Sequence, residues 1–539
     1  MAESNAAAPA PAPTTVTLKI DGRSITVPKG TNLLEACKTV GVDISYFCYH
    51  PGLSSPAVCR QCLVEIVGQP KLVPSCYTPV ADNMDVITKS DKVLLARQQM
   101  LEFTLVNHPV DCPICDKAGE CTLQKLYMEW DGAPSRVDHN KVHKPKAVDL
   151  GPTIVLDAER CILCTRCIRV CNEVAHSPQL TMSYRGNHEI LTTAPGTLLD
   201  NPYSLNTVDV CPVGALTSKD FRFHMRAWEL YKTESVCPGC STGCNIEIHH
   251  AQKRVWRLMP RLNPDVNKYW MCDEGRMTYH ALDEGRILGA RLGDDPAPLD
   301  KAVAFVADRI EQARQKDPRR VGVVFGAQAT NEDLYALSVV TAALGARAFV
   351  AGRPVVPERE DTILRSRDVN PNRAGAQLFA GLEAGGVAEL EKALLGDELD
   401  LLWCVGEDLP LSDAAFEALD AIDTVVQAAH DNQLTAGADV VLPAAMWAEV
   451  DGTFTNAPTV PGIASRRVQR MRAAFDPPGA AAPHWQHVVA IARRLGQSLE
   501  YPNPRALFNA MKEQTPTLAS AEWGRPVPLV QLRFAGSRG

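Results

Sequence analysis

Apolar and polar residues alternate from Val16 to Val27 on either side of Asp21-Gly22, which predicts a β-hairpin closed by a turn-compatible dipeptide. Thr31 is placed to cap a short helix running through Val40, with Leu33, Leu34 and Cys37 facing inward. A helical period spans Lys89 to Val106 and turns Val93, Leu94, Ala96, Met100, Leu101, Phe103 and Leu105 mostly inward. A shorter amphipathic piece covers Leu123 to Trp130 within the otherwise polar connector 122–150. From about residue 285 the pattern changes. A helix at 300–315 leads to an apolar strand at 320–326, a helix at 331–344 and a strand near Ala348-Phe349-Val350. Further strands are expected at 401–405 and 425–428, with 415–419 helical between them. Apolar strands alternating with helices predict a parallel α/β sheet covered on both faces.

A chain of 539 residues exceeds one core, and its length suggests about three to five domains. Hydrophobic residues at 45% and charged residues at 22% are ordinary for a folded protein. A net charge of −8 argues against nucleic acid as a partner. No apolar run approaches the ~18 residues of a spanning helix, so no direct membrane span is expected. The Ala/Pro-rich start reads as a disordered tail over 1–14, neither secretory signal nor transit peptide, and implies a cytoplasmic protein. Of 18 cysteines, 17 precede residue 273. In a reducing compartment such groups are metal ligands first and redox thiols second.

The cysteines fall into four ordered groups. Cys161, Cys164 and Cys167 can converge from one tight loop, and Cys211-Pro212 arrives from afar. This is the bacterial ferredoxin run and reads as a [4Fe–4S] site, whereas zinc would need two pairs. Cys171 stands where a second cubane would take a ligand, but no second C-x2-C-x2-C completes one, which leaves Cys171 to packing. Upstream, Cys48, Cys59, Cys62 and Cys76 follow the hairpin and helix, an order that resembles β-grasp ferredoxins holding [2Fe–2S]. The first gap is longer than the plant-type spacing. The 89–106 helix delivers His108 ahead of Cys112, Cys115 and Cys121, a set suited to a second [4Fe–4S] cluster with one imidazole ligand. Replacing a thiolate by neutral imidazole removes one negative charge and by itself raises the reduction potential. Cys237, Cys240, Cys244 and Cys272 offer a third [4Fe–4S] site, with zinc as the alternative. One [2Fe–2S] and three [4Fe–4S] clusters need sixteen ligands, which His108 and fifteen cysteines supply. Cys37, Cys171 and Cys404 remain as small buried hydrophobes.

These motifs together resemble the large Fe–S subunit (G-type) of respiratory NADH:quinone oxidoreductase, a peripheral-arm protein. The one-histidine, three-cysteine module is shared by that family and by iron-only hydrogenases. The Cys237 group is similar to the small Fe–S domain that opens molybdopterin oxidoreductases such as formate dehydrogenase. The stretches 438–445 and 449–456 resemble the body of those enzymes. The resemblance implies an α+β and α/β multidomain chain. Its parts would be a [2Fe–2S] β-grasp domain at 15–90, the His108 module at 91–150 and a ferredoxin-like module at 151–228. A molybdopterin-oxidoreductase-type [4Fe–4S] domain at 229–285 and a degenerate α/β body at 286–539 would follow.

It further implies an electron-transfer subunit fed by the flavin/NADH-binding Fe–S subunit and delivering towards the quinone-side peripheral-arm subunits. The site would be the cytoplasmic side of the inner membrane, with the Cys237 cluster off the path. The complex is an enzyme, but this chain is expected to hold no catalytic site of its own. No Gly-rich fingerprint follows a strand, so neither FMN nor NAD is expected on this chain. Molybdopterin is not expected either. No cysteine lies between Cys272 and Cys404 to ligate molybdenum, the family's pterin-contacting lysine is Glu274, and 353–400 is short for the full enzyme. Glu274 would repel a pyrophosphate. Gly326, Asp451 and Asn456 are assigned turn and cap roles. The alternative reading is the catalytic subunit of an NAD-linked formate dehydrogenase. An iron-only hydrogenase would need more cysteines after residue 280, and a zinc scaffold would be colourless.

Overall fold

Asp21 and Gly22 both take positive φ, 46° and 79°, so the chain reverses between the strands Thr15–Ile20 and Arg23–Pro28. The computed structural model describes residues 14–130, 136–406, 408–523 and 530–531. The tail expected over 1–14 lies outside them except for Thr14, whose carbonyl accepts from Lys29 N at 2.9 Å. Val16, Leu18 and Ile20 share the buried face of the hairpin. The helix Leu33–Thr39 follows, capped by Asn32 rather than the expected Thr31. Asn32 Oδ1 accepts from Glu35 N at 2.9 Å, while Thr31 donates to the Pro28 carbonyl. Burying both Leu33 and Leu34 sets the helix phase, and the cap falls one residue later. Three short strands complete a five-stranded sheet in which Thr15–Ile20 pairs parallel with Asp85–Ile87.

The helix Asp91–Leu105 starts at Ser90 and buries only Val93, Arg97 and Leu101. The broader inward face expected from its period does not form, and Phe103 is 70% exposed. Residues two apart on a helix point to opposite sides, so burying Leu101 turns Phe103 outward. Arg97 fits the narrow stripe because its guanidinium reaches the Leu63 carbonyl. Thr122–Trp130 is helical. Beyond it, a three-stranded sheet and a two-stranded hairpin frame the stretch that carries Cys161 to Cys211.

Contact density divides the chain into two compact units, Met1–Trp228 and Glu229–Gly539. The second opens with an antiparallel sheet of Tyr231–Val236, Asn245–Ala251 and Arg254–Pro260. Its centre is a seven-stranded sheet. Val440–Pro443, Asp423–Ala428, Leu401–Val405, Val321–Gly326 and Arg347–Ala351 run parallel, in that order. Arg291–Leu292 joins antiparallel at one side. Val323, Phe325, Trp403 and Val405 face one core with helices Leu299–Lys316, Asn331–Leu344 and His484–Arg494. Val324, Leu402, Cys404 and Val426 face the other, under Val387–Leu395 and Asp413–Leu419. Burial on both faces explains why these strands read as continuous apolar runs. Gly326 opens the turn at the end of its strand, its carbonyl accepting from Ala329 N at 3.1 Å. A Cβ there would lie 2.1 Å from the Val405 carbonyl oxygen, so glycine permits the close approach of two strand ends. Asp451 accepts from Arg470, and Asn456 is tied to Arg467 N, Thr242 O and Ala464 O, which are structural roles.

Candidate metal centres

Cys48 lies within hydrogen-bonding reach of Cys59 and Cys76, and Cys62 within reach of Cys76. As acceptors, Cys48 is drawn far below the usual thiol range and Cys62 to about 7. The donors Cys59 and Cys76 are pushed up. Ala57 and Arg60 adopt positive φ, 54° each, and bend the loop around Cys59. Cys48 N also points at Cys59 Sγ, 3.5 Å away. Hydrogen bonds of this kind favour a ligating thiolate.

Cys161, Cys164, Cys167 and Cys211 line one small cavity of about 20 Å³. Ile162, Leu163, Met182 and Leu191 supply much of its apolar wall. The loop is built by Leu163 and Thr165, at φ 55° and 61°. This left-handed backbone is uncommon for such residues. It aims the amides of Leu163 and Arg166 at the sulfurs of Cys161 and Cys164. Burial pushes the free thiols up, Cys161 to about 12 and Cys164 to about 11. An apolar cavity therefore disfavours bare thiolates and suits sulfurs whose charge is shared with iron. Cys171 is fully buried outside the cavity lining.

Cys112, Cys115 and Cys121 are close enough to interact electrostatically, and Cys121 also feels Cys211. Burial depresses His108 to about 4, so the imidazole is neutral at neutral pH. Its Nδ1 is buried without a hydrogen-bond partner. A neutral ring with an orphaned nitrogen fits a metal ligand. The loop is anchored through Asp111, whose carboxylate takes both Nε and Nη2 of Arg160 at 2.9 and 2.6 Å. Thr122 N donates to the Pro212 carbonyl at 2.9 Å. Gly214 completes the cradle, because a Cβ there would lie 2.2 Å from Cys115 Sγ. Gly214→Ala is therefore expected to displace Cys115. The chain should lose about four irons while the other cluster signals persist in low-temperature EPR. An unchanged iron count would show that Cys115 does not ligate from this position.

In the second unit Cys237, Cys240, Cys244 and Cys272 are all buried and mutually interacting. Burial lifts Cys237 and Cys244, and Cys272 to about 12. Gly239 N and Gly275 N point at the sulfurs of Cys237 and Cys272, each 3.4 Å away. Glu274 is not left as a free repelling charge. Its carboxylate takes Arg359 Nε at 2.6 Å and Arg365 Nη2 at 2.5 Å, and Arg359 lies against Cys240 and Cys272. Among the described residues no three or more His, Cys, Asp or Glu are set for a single metal ion. The Cys161 set instead lines a space, and the thiols of the other sets act on one another electrostatically.

Sequence reasoning passed over Gly214, Arg160, Arg166 and Arg169, although all four stand within three residues of a candidate ligand. Glycine or arginine inside a cysteine motif was the available signal.

These centres and the α/β body define an iron–sulfur protein with a molybdopterin-oxidoreductase-type domain. Family models match along most of the chain. They are a 2Fe-2S iron-sulfur cluster binding domain at 13–91 and an NADH-ubiquinone oxidoreductase-G iron-sulfur binding region at 97–132. An NADH-quinone oxidoreductase subunit 3 ferredoxin-like domain covers 151–217, an NDSU1/NuoG-like 4Fe-4S domain 230–280, and molybdopterin oxidoreductase 375–494. The NADH-ubiquinone oxidoreductase 78 kDa subunit of Neurospora crassa is 31% identical, over 96% of this chain and 86% of that one. The 75 kDa subunit of Reclinomonas americana is 37% identical over 68% of this chain and 54% of its own length. The NADH-quinone oxidoreductase G-type subunit of Streptomyces coelicolor is 38% identical over 62% and 40%. The chain belongs to this family, the G-type and 75–78 kDa subunits of NADH-quinone oxidoreductase. It spans about half the length of most of the curated relatives it matches. The formate dehydrogenase alternative is not favoured by these matches.

Proposed function

We propose that the chain is an electron-transfer subunit of an NADH:quinone oxidoreductase, coupled within the whole complex to proton translocation. The observation that carries this reading is the gathering of Cys161, Cys164, Cys167 and Cys211 around one apolar cavity, in a chain of this family. Cys48, Cys59, Cys62 and Cys76 would hold one [2Fe–2S] cluster. [4Fe–4S] clusters would be held by His108 with Cys112, Cys115 and Cys121, by the Cys161 set, and by Cys237, Cys240, Cys244 and Cys272. The clusters supply one-electron chemistry when bound. The protein contributes sulfur and imidazole donors, amides aimed at sulfur, and exclusion of water. The domain extents set out above, 15–90, 91–150, 151–228, 229–285 and 286–539, belong to the same proposal. So do a flavin-side and a quinone-side partner, and a place on the cytoplasmic side of the inner membrane. No helix among the described residues is long and apolar enough to cross a membrane.

The α/β body is proposed to work without molybdopterin. Where the strand Val321–Gly326 turns into its helix, the interior is filled by the chain's own polar groups. Asn331 donates to Thr453 and Thr455, each at 3.0 Å, and Glu332 accepts from Thr453 N at 2.7 Å. Burial lifts Glu332 to about 8, so this carboxyl stays protonated in its fully enclosed site.

The test is iron quantification with low-temperature EPR of the dithionite-reduced chain. About fourteen irons and four distinct cluster signals are expected, and a colourless chain without signals would overturn the reading. In the assembled complex, Cys237→Ala with Cys272→Ala is expected to leave NADH-to-quinone turnover standing. Collapse with the other clusters intact would place that site on the electron path.

A further inference from the structure

Two arginines alternate with candidate ligands in Cys164-Thr165-Arg166-Cys167-Ile168-Arg169, and both reach across to the loop of the binuclear site. Arg169 donates through Nη2 to the Cys48 carbonyl at 2.5 Å and to the Cys164 carbonyl at 3.3 Å. Its Nη1 donates to the carbonyl of Ser54. Arg166 donates to the carbonyl of Tyr49, next to Cys48, and at 3.0 Å to that of Val210, whose peptide leads into Cys211. Each guanidinium therefore has hydrogen bonds on the peptide chains of both candidate clusters.

Both side chains are buried, at 8% exposure each. Among the described residues neither forms an ion pair. Glu173, the acid that acts on Arg169, spends its oxygens on Ser54 N and Oγ. Each arginine also keeps a buried Nε–H without an acceptor. A buried cation without a counter-charge is strongly unfavourable. Ahead of Glu173, it is sulfur that acts on Arg169, through Cys164 and Cys48, and Arg166 likewise acts on Cys164. Thiolate-ligated metal on both sides would supply the missing negative charge.

We infer that Arg166 and Arg169 are positioning residues for electron passage between the Cys48 site and the Cys161 site. They hold the two ligand loops at one spacing and balance the charge of both. This rests on the ligand assignment proposed above. An electron that crosses leaves one centre oxidised by one and the other reduced by one. No bond is made or broken, and both arginines keep their protons.

The test uses the full chain carrying its clusters, with Arg169→Gln and Arg169→Lys. Iron analysis and EPR establish first that both sites are filled. Reduction by a photogenerated reductant then times electron equilibration between the sites, and redox titration follows their potentials. Arg169→Gln is expected to slow equilibration roughly 10-fold, the lower end for losing an outer-shell partner, and to lower both potentials. Arg169→Lys keeps the charge without the fork, so its potentials should hold while equilibration still slows. Unchanged equilibration in the glutamine variant with both clusters present overturns the inference and leaves the ligand assignment standing. Unchanged potentials there overturn the charge-balancing role. A wild-type chain lacking either cluster signal overturns the assignment instead. If the glutamine variant loses iron, the lysine variant decides by the same measure of rate.

Discussion

Serine in place of Cys164 is expected to remove about four of the chain's roughly fourteen irons and to stop electron flow through the assembled complex. Cys164 is 8% exposed and lines the apolar cavity with Cys161, Cys167 and Cys211. A hydroxyl there is a poor iron ligand, because its proton is far harder to remove than that of a thiol. Left protonated, it is a buried polar group facing apolar walls, which costs about 1–3 kcal/mol if unpaired. Turnover should fall by at least about 100-fold, the upper end for disturbing a mere outer-shell partner. Iron analysis and the loss of one tetranuclear EPR signal would read the effect directly. Cys171→Ser provides the contrast. Cys171 is equally buried but lies outside the cavity lining, so its variant should keep full iron and an unaltered spectrum. A loss of iron from that variant, with Cys211→Ser retaining it, would reverse the ligand assignment.

Arg286→Met is expected to destabilise the second unit by about 3–5 kcal/mol. The two guanidinium nitrogens of Arg286 meet both oxygens of Glu449 at 2.8 Å, and the side chains are 7% and 2% exposed. Arg286 also donates to the Leu282 carbonyl, and Glu449 accepts from Met446 N. Removing the cation alone leaves the buried carboxylate without its counter-charge. Removing both charges avoids that penalty, so Arg286→Met with Glu449→Leu should recover most of the loss. Denaturant midpoints of the full-length chain measure both variants. A single variant as stable as the parent would show that Glu449 finds another partner, and a double variant no better than the single would show that the pair is worth its burial.

The hairpin at 15–28 and the strands 321–326 and 401–405 were legible because period-two alternation and unbroken apolar runs have few other solutions. The helix at 91–105 was legible in existence but not in its inward face. Arg97 is buried there because the Leu63 carbonyl waits for it, a partner 34 residues away that no local pattern announces. The turn at Gly326 was legible, but the need for glycine there was not. Its constraint comes from Val405, on a neighbouring strand. Asn32 replaced Thr31 as cap because packing of Leu33 and Leu34 outweighed a near-equal local preference.

Spacing along the chain was sufficient to group the cysteines, since a short loop can present only a few side chains to one point. It also separated the surplus Cys37, Cys171 and Cys404, all buried in the fold. Only the tertiary structure could decide what surrounds the groups. It placed Gly214 against Cys115, put Arg359 and Arg365 on Glu274, and bound the loop of Cys48 to that of Cys164 through Arg169. Ligand identity is local, written in residue type and interval. Charge balance and loop spacing are long-range quantities, and they exist only once distant segments have been brought side by side.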